Sequence, residues 1–208
     1  MITTGGIVLC GGKSTRMGTS KAMLAFGPET MLQRVVRLLG AVVTPIIVVS
    51  ARSQPLPMLP GYARIARDEG EERGPLEGIR AGLAALPESV DAAYVTGCDA
   101  PLLVPGFVSL MIELLGDHDI AVMEVDGFMH PLSAVYRRSI LPHVEALLAG
   151  DRHRPAYLFD ALKTRRVKPA EVASVDPELL TLRNLNTPEE YREALRQLTR
   201  TSSNSLRG

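Results

Sequence analysis

Short apolar runs and longer amphipathic runs alternate along the chain. Residues 6–10 (GIVLC) form an apolar run closed by Gly11-Gly12, and residues 45–50 (PIIVVS) and 92–97 (AAYVTG) form two more. Short apolar runs bounded by glycine read as strands buried on both faces of a parallel sheet. Between them, residues 31–39 (MLQRVVRLL) place Leu32, Val35, Val36 and Leu39 on one helical face, which predicts an amphipathic helix. Residues 75–86, 105–115, 139–148 and, briefly, 156–162 read as further helices. Residues 119–125, 132–136 and 164–169 read as further strands. Residues 187–198 open a last helix, with Pro188 at its first position and Glu189-Glu190 in its first turn. Residues 51–75 hold four prolines and several charges and read as loop. Residues 199–208 read as a disordered tail.

This alternation predicts an α/β fold: a mostly parallel central sheet with helices on both faces, in three layers, forming one domain over residues 1–198. In such sheets ligands bind beyond the carboxyl ends of the strands. The loops after the first three strands are therefore where chemistry is expected.

Composition narrows the function. The 208 residues are 46% apolar and 22% charged, as in globular domains. Aromatics are 4%, without tryptophan, which argues against stacking platforms for single-stranded nucleic acid. Lys and Arg number 23 and Asp and Glu 23, so neither nucleic acid nor a membrane is an expected partner. The charges segregate nevertheless. Residues 81–136 carry eight acids and no Lys or Arg, residues 137–168 carry eight bases and three acids, and residues 1–58 carry six bases and one acid. Solvated faces explain such runs, and so does a cleft that gathers a cation with polyanions. The two cysteines, Cys10 and Cys98, are too few for a disulfide scaffold and read as small buried apolar groups. No signal-like or membrane-spanning segment is seen, so a cytoplasmic protein is expected.

The most informative stretch is Leu9-Cys10-Gly11-Gly12-Lys13-Ser14-Thr15-Arg16-Met17-Gly18, followed by Lys21. A buried strand entering adjacent glycines lets backbone N–H groups converge on an anion. Arg16 offers a fork for phosphate oxygens and Lys21 a point charge. A glycine turn with surface bases is the plainer alternative. Asp99, just past the third strand and before Ala100-Pro101, suits Mg²⁺, which takes one or two carboxylates with phosphate oxygens and water; a turn-forming or capping Asp is the alternative. Asn184 and Asn186 share one face of an extended segment. They read either as ligands of phosphate or metal-bound water, or as turn residues with Asn186 capping the last helix. Gly74 and Gly78 flank Pro75-Leu76 and permit close approach to a ligand or to the sheet, the latter equally so for Gly82. No Cys/His spacing suggests zinc, and Ser14 has no evident base to make it a nucleophile.

These motifs carry a resemblance. LCGGKSTRMG…K resembles the signature loop of nucleotidyltransferases that load a nucleoside monophosphate onto a phosphorylated acceptor. With Gly74-Pro75-Leu76-Glu77-Gly78, Gly97-Cys98-Asp99-Ala100-Pro101, His130-Pro131-Leu132 and Asn184-Leu185-Asn186-Thr187-Pro188-Glu189-Glu190 in the same order, the chain is most similar to the molybdenum cofactor guanylyltransferases, from about residue 6 to 198. The resemblance implies a Rossmann-like nucleotidyltransferase fold. It also implies GTP and molybdopterin as substrates, and Mg²⁺ on Asp99 as cofactor. Arg16, Lys21 and Asp99 are then catalytic, and Leu9, Cys10, Gly11, Gly12, Ser14, Asp68, Gly74, Gly78, Asn184 and Asn186 join Lys21 and Asp99 in binding the nucleotide. Asp68 would lie near the base or ribose and His130 near the pterin. Arg152, Arg154, Arg137 and Arg138 either bind the acceptor phosphate or solubilise helix ends. Transient contacts with cofactor-handling proteins would follow.

Two positions depart from the family pattern. Ser20 stands where an acid usually precedes the loop lysine, and Val48-Val49-Ser50-Ala51 stands where an asparagine often ends the second strand. Both lie where the nucleotide should sit. They leave the choice of base, guanine or cytosine, open. The alternatives are a cytidylyltransferase on the same cofactor, a sugar-phosphate nucleotidyltransferase, and a non-catalytic nucleotide- or pterin-binding accessory protein, against which Asp99, Arg16 and Lys21 argue.

Overall fold

The computed structural model describes residues 2–10, 20–68 and 74–205. Among them the chain forms β1 (Thr4–Leu9), the hairpin β2 (Ala25–Phe26) and β3 (Glu29–Thr30), α1 (Met31–Gly40), β4 (Ile46–Ala51), β5 (Ala63–Asp68), α2 (Pro75–Ala85), β6 (Ala92–Gly97), α3 (Pro105–Leu115), β7 (Ile120–Val125), β8 (Phe128–Arg137), α4 (Leu141–Ala149), α5 (Ala156–Ala161), β9 (Thr164–Val167), the single turn α6 (Pro169–Val172) and α7 (Pro188–Ser205).

Among the described residues, seven strands form one sheet in the order β5-β4-β1-β6-β8-β7-β9. All pairings are parallel except those of β8, which runs antiparallel to β6 and β7. The chain steps outward from β1 through β4 to β5 and returns to β6 on the other side of β1. That reversal opens a crevice at the carboxyl ends of β1 and β6, where open α/β sheets bind ligands.

Alternation along each strand sorts its side chains between two cores. Val8, Ile46, Val48, Ala92 and Tyr94 face α1 and α3, meeting Leu32, Val35, Val36, Leu39, Phe107 and Met111. Their neighbours Ile7, Ile47, Val49, Ala93 and Val95 face α2, α4 and α5, meeting Leu76, Ile79, Leu83, Val144 and Leu158. Thus the expected three layers are observed. Gly82 sets the approach of α2: a Cβ there would lie 2.5 Å from Ile7 Cγ2. A smaller cluster of Phe26, Met31, Leu185 and Ala194 docks α7 onto the β2–β3 hairpin. α1 starts in a capping box, Thr30 Oγ1 accepting from the Gln33 N–H and Gln33 Oε1 accepting from the Thr30 N–H.

The structure departs from the sequence reading in three places. β5 lies inside the stretch read as loop; its sequence ARIARD is half charged because it is an edge strand with one flank open to solvent. β8 begins at Phe128 rather than 132, and a register shift between Val122 and Met123 accommodates Pro131. The backbone of α7 continues to Ser205, into residues read as tail, because no glycine or proline interrupts the chain between Pro188 and Ser205. No helix among the described residues is long and apolar enough to cross a membrane.

Candidate active site

The ends of β4, β1 and β6 are bonded together at the crevice. The Cys10 N–H donates to the Val49 carbonyl at 2.8 Å, and the Cys98 N–H to the Leu9 carbonyl at 2.9 Å. Cys10 and Cys98 sit side by side, buried, as expected of small apolar groups. The Sγ contact with Cys98 and burial together hold the Cys10 thiol well above its ordinary range.

Asp99 follows at once. Its carboxylate folds back over Gly97, where a Cβ would fall 2.4 Å from Oδ1, so only glycine admits this conformation. Lys21 opens a single 3₁₀ turn anchored by the buried Ala22. Its ammonium donates to Asp99 Oδ2 at 2.8 Å and to Asn186 Oδ1 at 2.6 Å. The paired side chains are 17% and 20% exposed: shielded enough to strengthen the attraction, open enough to meet a ligand.

Asn186 arrives there because its neighbours are fixed. The Leu185 side chain is buried, and its N–H donates to the Asp99 carbonyl at 2.8 Å. Asn184 and Asn186, on either side of it, are exposed, so they share one face as expected. The capping role goes to Thr187 instead of Asn186: Thr187 Oγ1 accepts from the Glu190 N–H, while Glu190 Oε2 accepts from the N–H groups of Asn186 and Thr187 at 2.7 and 2.9 Å. Those two backbone bonds hold the Glu190 carboxyl below its usual range, with the nearby Lys21 adding to the effect. Further back, Asp176 is 2% exposed and accepts from the Leu180 and Thr181 N–H groups at 2.8 and 2.9 Å. Thr181 Oγ1 accepts from the Val104 N–H at 3.1 Å. This strut ties the segment carrying Asn186 to the segment following Asp99. Sequence reasoning missed it; its partners are as far as 77 residues apart.

Gly11, Gly12, Lys13, Ser14 and Arg16 lie outside the described residues, as does the Asp68 side chain. The Asp68 backbone closes β5 opposite Ala51. Leu9 ends β1 and packs under Gly78, whose Cβ would lie 3.1 Å from the leucine methyls. Gly74 caps α2 with a φ of 79°, a conformation that favours glycine. His130 is half-buried on β8 opposite Met123, at the carboxyl edge, and burial lowers its pKa. Arg152 stacks over Tyr157 at 5.5 Å, and Arg154 is exposed.

Arg137 and Arg138 do not belong with this group. Arg137 donates to the Gly116 and His118 carbonyls, and the Arg138 N–H to the Asp91 carbonyl. The antiparallel course of β8 carries them to the opposite edge from Asp99, so they close loops there instead of meeting an acceptor phosphate. Among the described residues no cluster of three or more His, Cys, Asp or Glu could hold a metal. Asp99 is the carboxylate that the end of β6 brings against Lys21.

Residues 6–166 match the model of the MobA-like NTP transferase domain. The chain belongs to that family. A curated protein of Methanosarcina acetivorans bearing a molybdenum cofactor guanylyltransferase name is 37% identical over 197 residues, with 88% of this chain and 86% of the relative covered. The molybdenum cofactor guanylyltransferase of Desulfosudis oleivorans is 34% identical over 191 residues, covering 91% and 93%. Among solved structures, molybdopterin-guanine dinucleotide biosynthesis protein A of Archaeoglobus fulgidus superposes with a TM-score of 0.77 at 19% identity, covering 96% of this chain and 100% of that one. The 4-diphosphocytidyl-2C-methyl-D-erythritol synthase of Anaerococcus prevotii superposes with a TM-score of 0.69 at 13% identity, covering 95% and 99%. For this MobA-like chain, the α/β nucleotidyltransferase fold expected from the motifs is therefore the observed one.

Proposed function

We propose that this chain transfers GMP from GTP to the terminal phosphate of molybdopterin, forming the guanine dinucleotide cofactor and pyrophosphate. The observation that carries the reading is the Lys21–Asp99–Asn186 constellation at the crevice, in a chain about a third identical to curated guanylyltransferases over nearly its whole length.

The reaction forms a bond from an acceptor phosphate oxygen to the α-phosphorus and breaks the bond from that phosphorus to pyrophosphate. A phosphate monoester has its second pKa at about 6, so the acceptor is already a nucleophilic dianion and needs no general base. The obstacle is repulsion. At 4 Å and an effective dielectric of 20, two unit charges repel by about 4 kcal/mol. Lys21 offers its ammonium to the phosphate charge, and Asn186 and Asp99 orient that ammonium. Asp99 would hold Mg²⁺, its other ligands coming from phosphate oxygens and water. Bound there, the ion would act as a Lewis acid on the transferred phosphoryl group. The amides of residues 11–14 and the Arg16 guanidinium would cradle the triphosphate, and the backbone of Gly74, at the start of α2, would approach the nucleotide. His130 at the same edge suits the acceptor side.

The fold is shared with a 4-diphosphocytidyl-2C-methyl-D-erythritol synthase, so fold alone does not select the base. A transfer assay with radiolabelled GTP or CTP, Mg²⁺ and molybdopterin decides it. GTP should label the acceptor with release of pyrophosphate. Transfer from CTP alone would overturn the guanylyl reading, and tight GTP binding without pyrophosphate release would favour an accessory binding protein.

A further inference from the structure

The residues on either side of the stretch 11–19 are both bonded to the carboxyl end of β4 or to the residues just after it. Before it, the Cys10 N–H bonds the Val49 carbonyl at 2.8 Å. After it, Ser20 Oγ accepts from Gln54 Nε2 at 3.1 Å. Cys10 and Ser20 thus both border the carboxyl end of β4 with the residues that follow, as a first flank. Lys21, Asp99 and Asn186 lie on a second, at the end of β6. The second flank carries the charges suited to polyphosphate, which leaves the first for the nucleoside.

On that first flank Ser50 is buried at 1% exposed, and Arg67 stands beside it in register on β5. Arg67 Nη1 donates to Ser50 Oγ and to the Ala51 carbonyl, both at 2.9 Å. Both bonds use Nη1, so the edge formed by Nε and Nη2 carries no bond to a described residue, and the side chain is exposed at the crevice end of the sheet. A guanidinium pinned through one nitrogen has already lost much of its rotamer freedom, so its remaining edge is preorganised. That edge presents two parallel N–H donors. Guanine offers the matching pair of acceptors, O6 and N7, whereas adenine puts an amino donor in place of O6.

We propose that Arg67 is a specificity-determining residue that reads the O6–N7 edge of guanine, held in place by Ser50. The proposal rests on GTP being the donor substrate. Ser50 occupies the strand end where the family pattern often has asparagine, and Arg67 supplies a base-reading group from the adjacent strand.

The test compares GTP, ITP, ATP and 7-deaza-GTP as donors for the wild-type chain, Arg67→Ala and Arg67→Lys, with equilibrium binding of GTP and 7-deaza-GTP alongside. Thermal melts confirm that the variants fold. The wild type should bind and use 7-deaza-GTP about 10-fold less well than GTP, as for one lost base contact. Arg67→Ala should lower kcat/KM for GTP by about 10- to 100-fold, lower it for ITP by the same factor, and abolish the penalty on 7-deaza-GTP. Arg67→Lys keeps the charge and a donor for Ser50 but lacks the fork, and should not restore the discrimination. A wild type that treats GTP and 7-deaza-GTP alike, an Arg67→Ala that lowers both equally, or rescue by lysine would each overturn the proposal while leaving GMP transfer intact. A wild type that transfers only from CTP would instead overturn the reading beneath it.

Discussion

Lys21 Nζ stands 2.8 Å from Asp99 Oδ2 and 2.6 Å from Asn186 Oδ1, joining the loop after β1, the turn after β6 and the entry to α7 through one ammonium. Removing it should cost transition-state stabilisation more than folding. Lys21→Ala is expected to lower GMP transfer by at least about 10²-fold, as for loss of one preorganised electrostatic contact. Pyrophosphate release with a thermal melt alongside checks this. Wild-type turnover in the variant would remove Lys21 from the chemistry.

Gly97 leaves no room for an added methyl group beside the Asp99 carboxylate. A Cβ there would sit 2.4 Å from Asp99 Oδ1, so the carboxylate would have to leave the position in which it meets Lys21. Gly97→Ala is expected to keep its fold while turnover falls by about 10²-fold, the scale for misplacing a reacting group by an ångström. Unchanged kcat/KM would mean that the observed carboxylate position is dispensable.

Gly82 faces the same steric limit with a different consequence. Its Cβ would meet Ile7 at 2.5 Å in the core beneath α2. Gly82→Ala should destabilise the chain by about 1–3 kcal/mol through overpacking, and should cost less in an Ile7→Ala background, which removes the clashing Cγ2. Urea titrations of the two single variants and the double variant measure the coupling; strict additivity would contradict it.

The cap of α7 should make stability depend on acidity. The folded-state pKa of Glu190 is lowered by the Asn186 and Thr187 N–H groups. Its contribution is therefore present above the unfolded carboxyl value of about 4.3. It is lost as pH falls below that value and through the depressed folded one. Glu190→Gln should flatten the stability profile in that acidic window and leave it parallel to wild type near neutrality. A variant profile parallel to wild type throughout would refute the linkage.

Asp176 acts at a distance through Thr181. Replacing it with alanine leaves two N–H groups without their acceptor, a cost of about 1–3 kcal/mol for each if buried. Asp176→Ala should therefore raise hydrogen exchange at the Thr181 and Leu185 amides. Exchange at wild-type rates would show that the strut does not hold the Asn186 segment.

The period of the apolar positions makes α1, α2, α3, β4 and β6 legible, because buried elements leave little choice of residue type. β5 escapes because its residues answer to solvent along an open edge. β8 is foreshortened because the sequence reading starts it after Pro131, whereas a register shift against β7 keeps the proline inside the strand. Within the site, Asp99 and Lys21 are legible individually as a carboxylate and a base near glycine-rich turns. Their contact joins residues 78 apart and follows only from β1 and β6 being neighbours. The Ser50–Arg67 pair is hidden for a related reason: it needs the β4–β5 register, and β5 reads as loop.

The most direct measurement is a crystal structure of the chain grown with GTP and Mg²⁺. The account predicts the triphosphate in the crevice between β1 and β6, with the ion on Asp99 and the Lys21 ammonium turned to a phosphate oxygen. Nucleotide bound elsewhere, or Lys21 still paired with Asp99 and Asn186 beside an empty crevice, would contradict it.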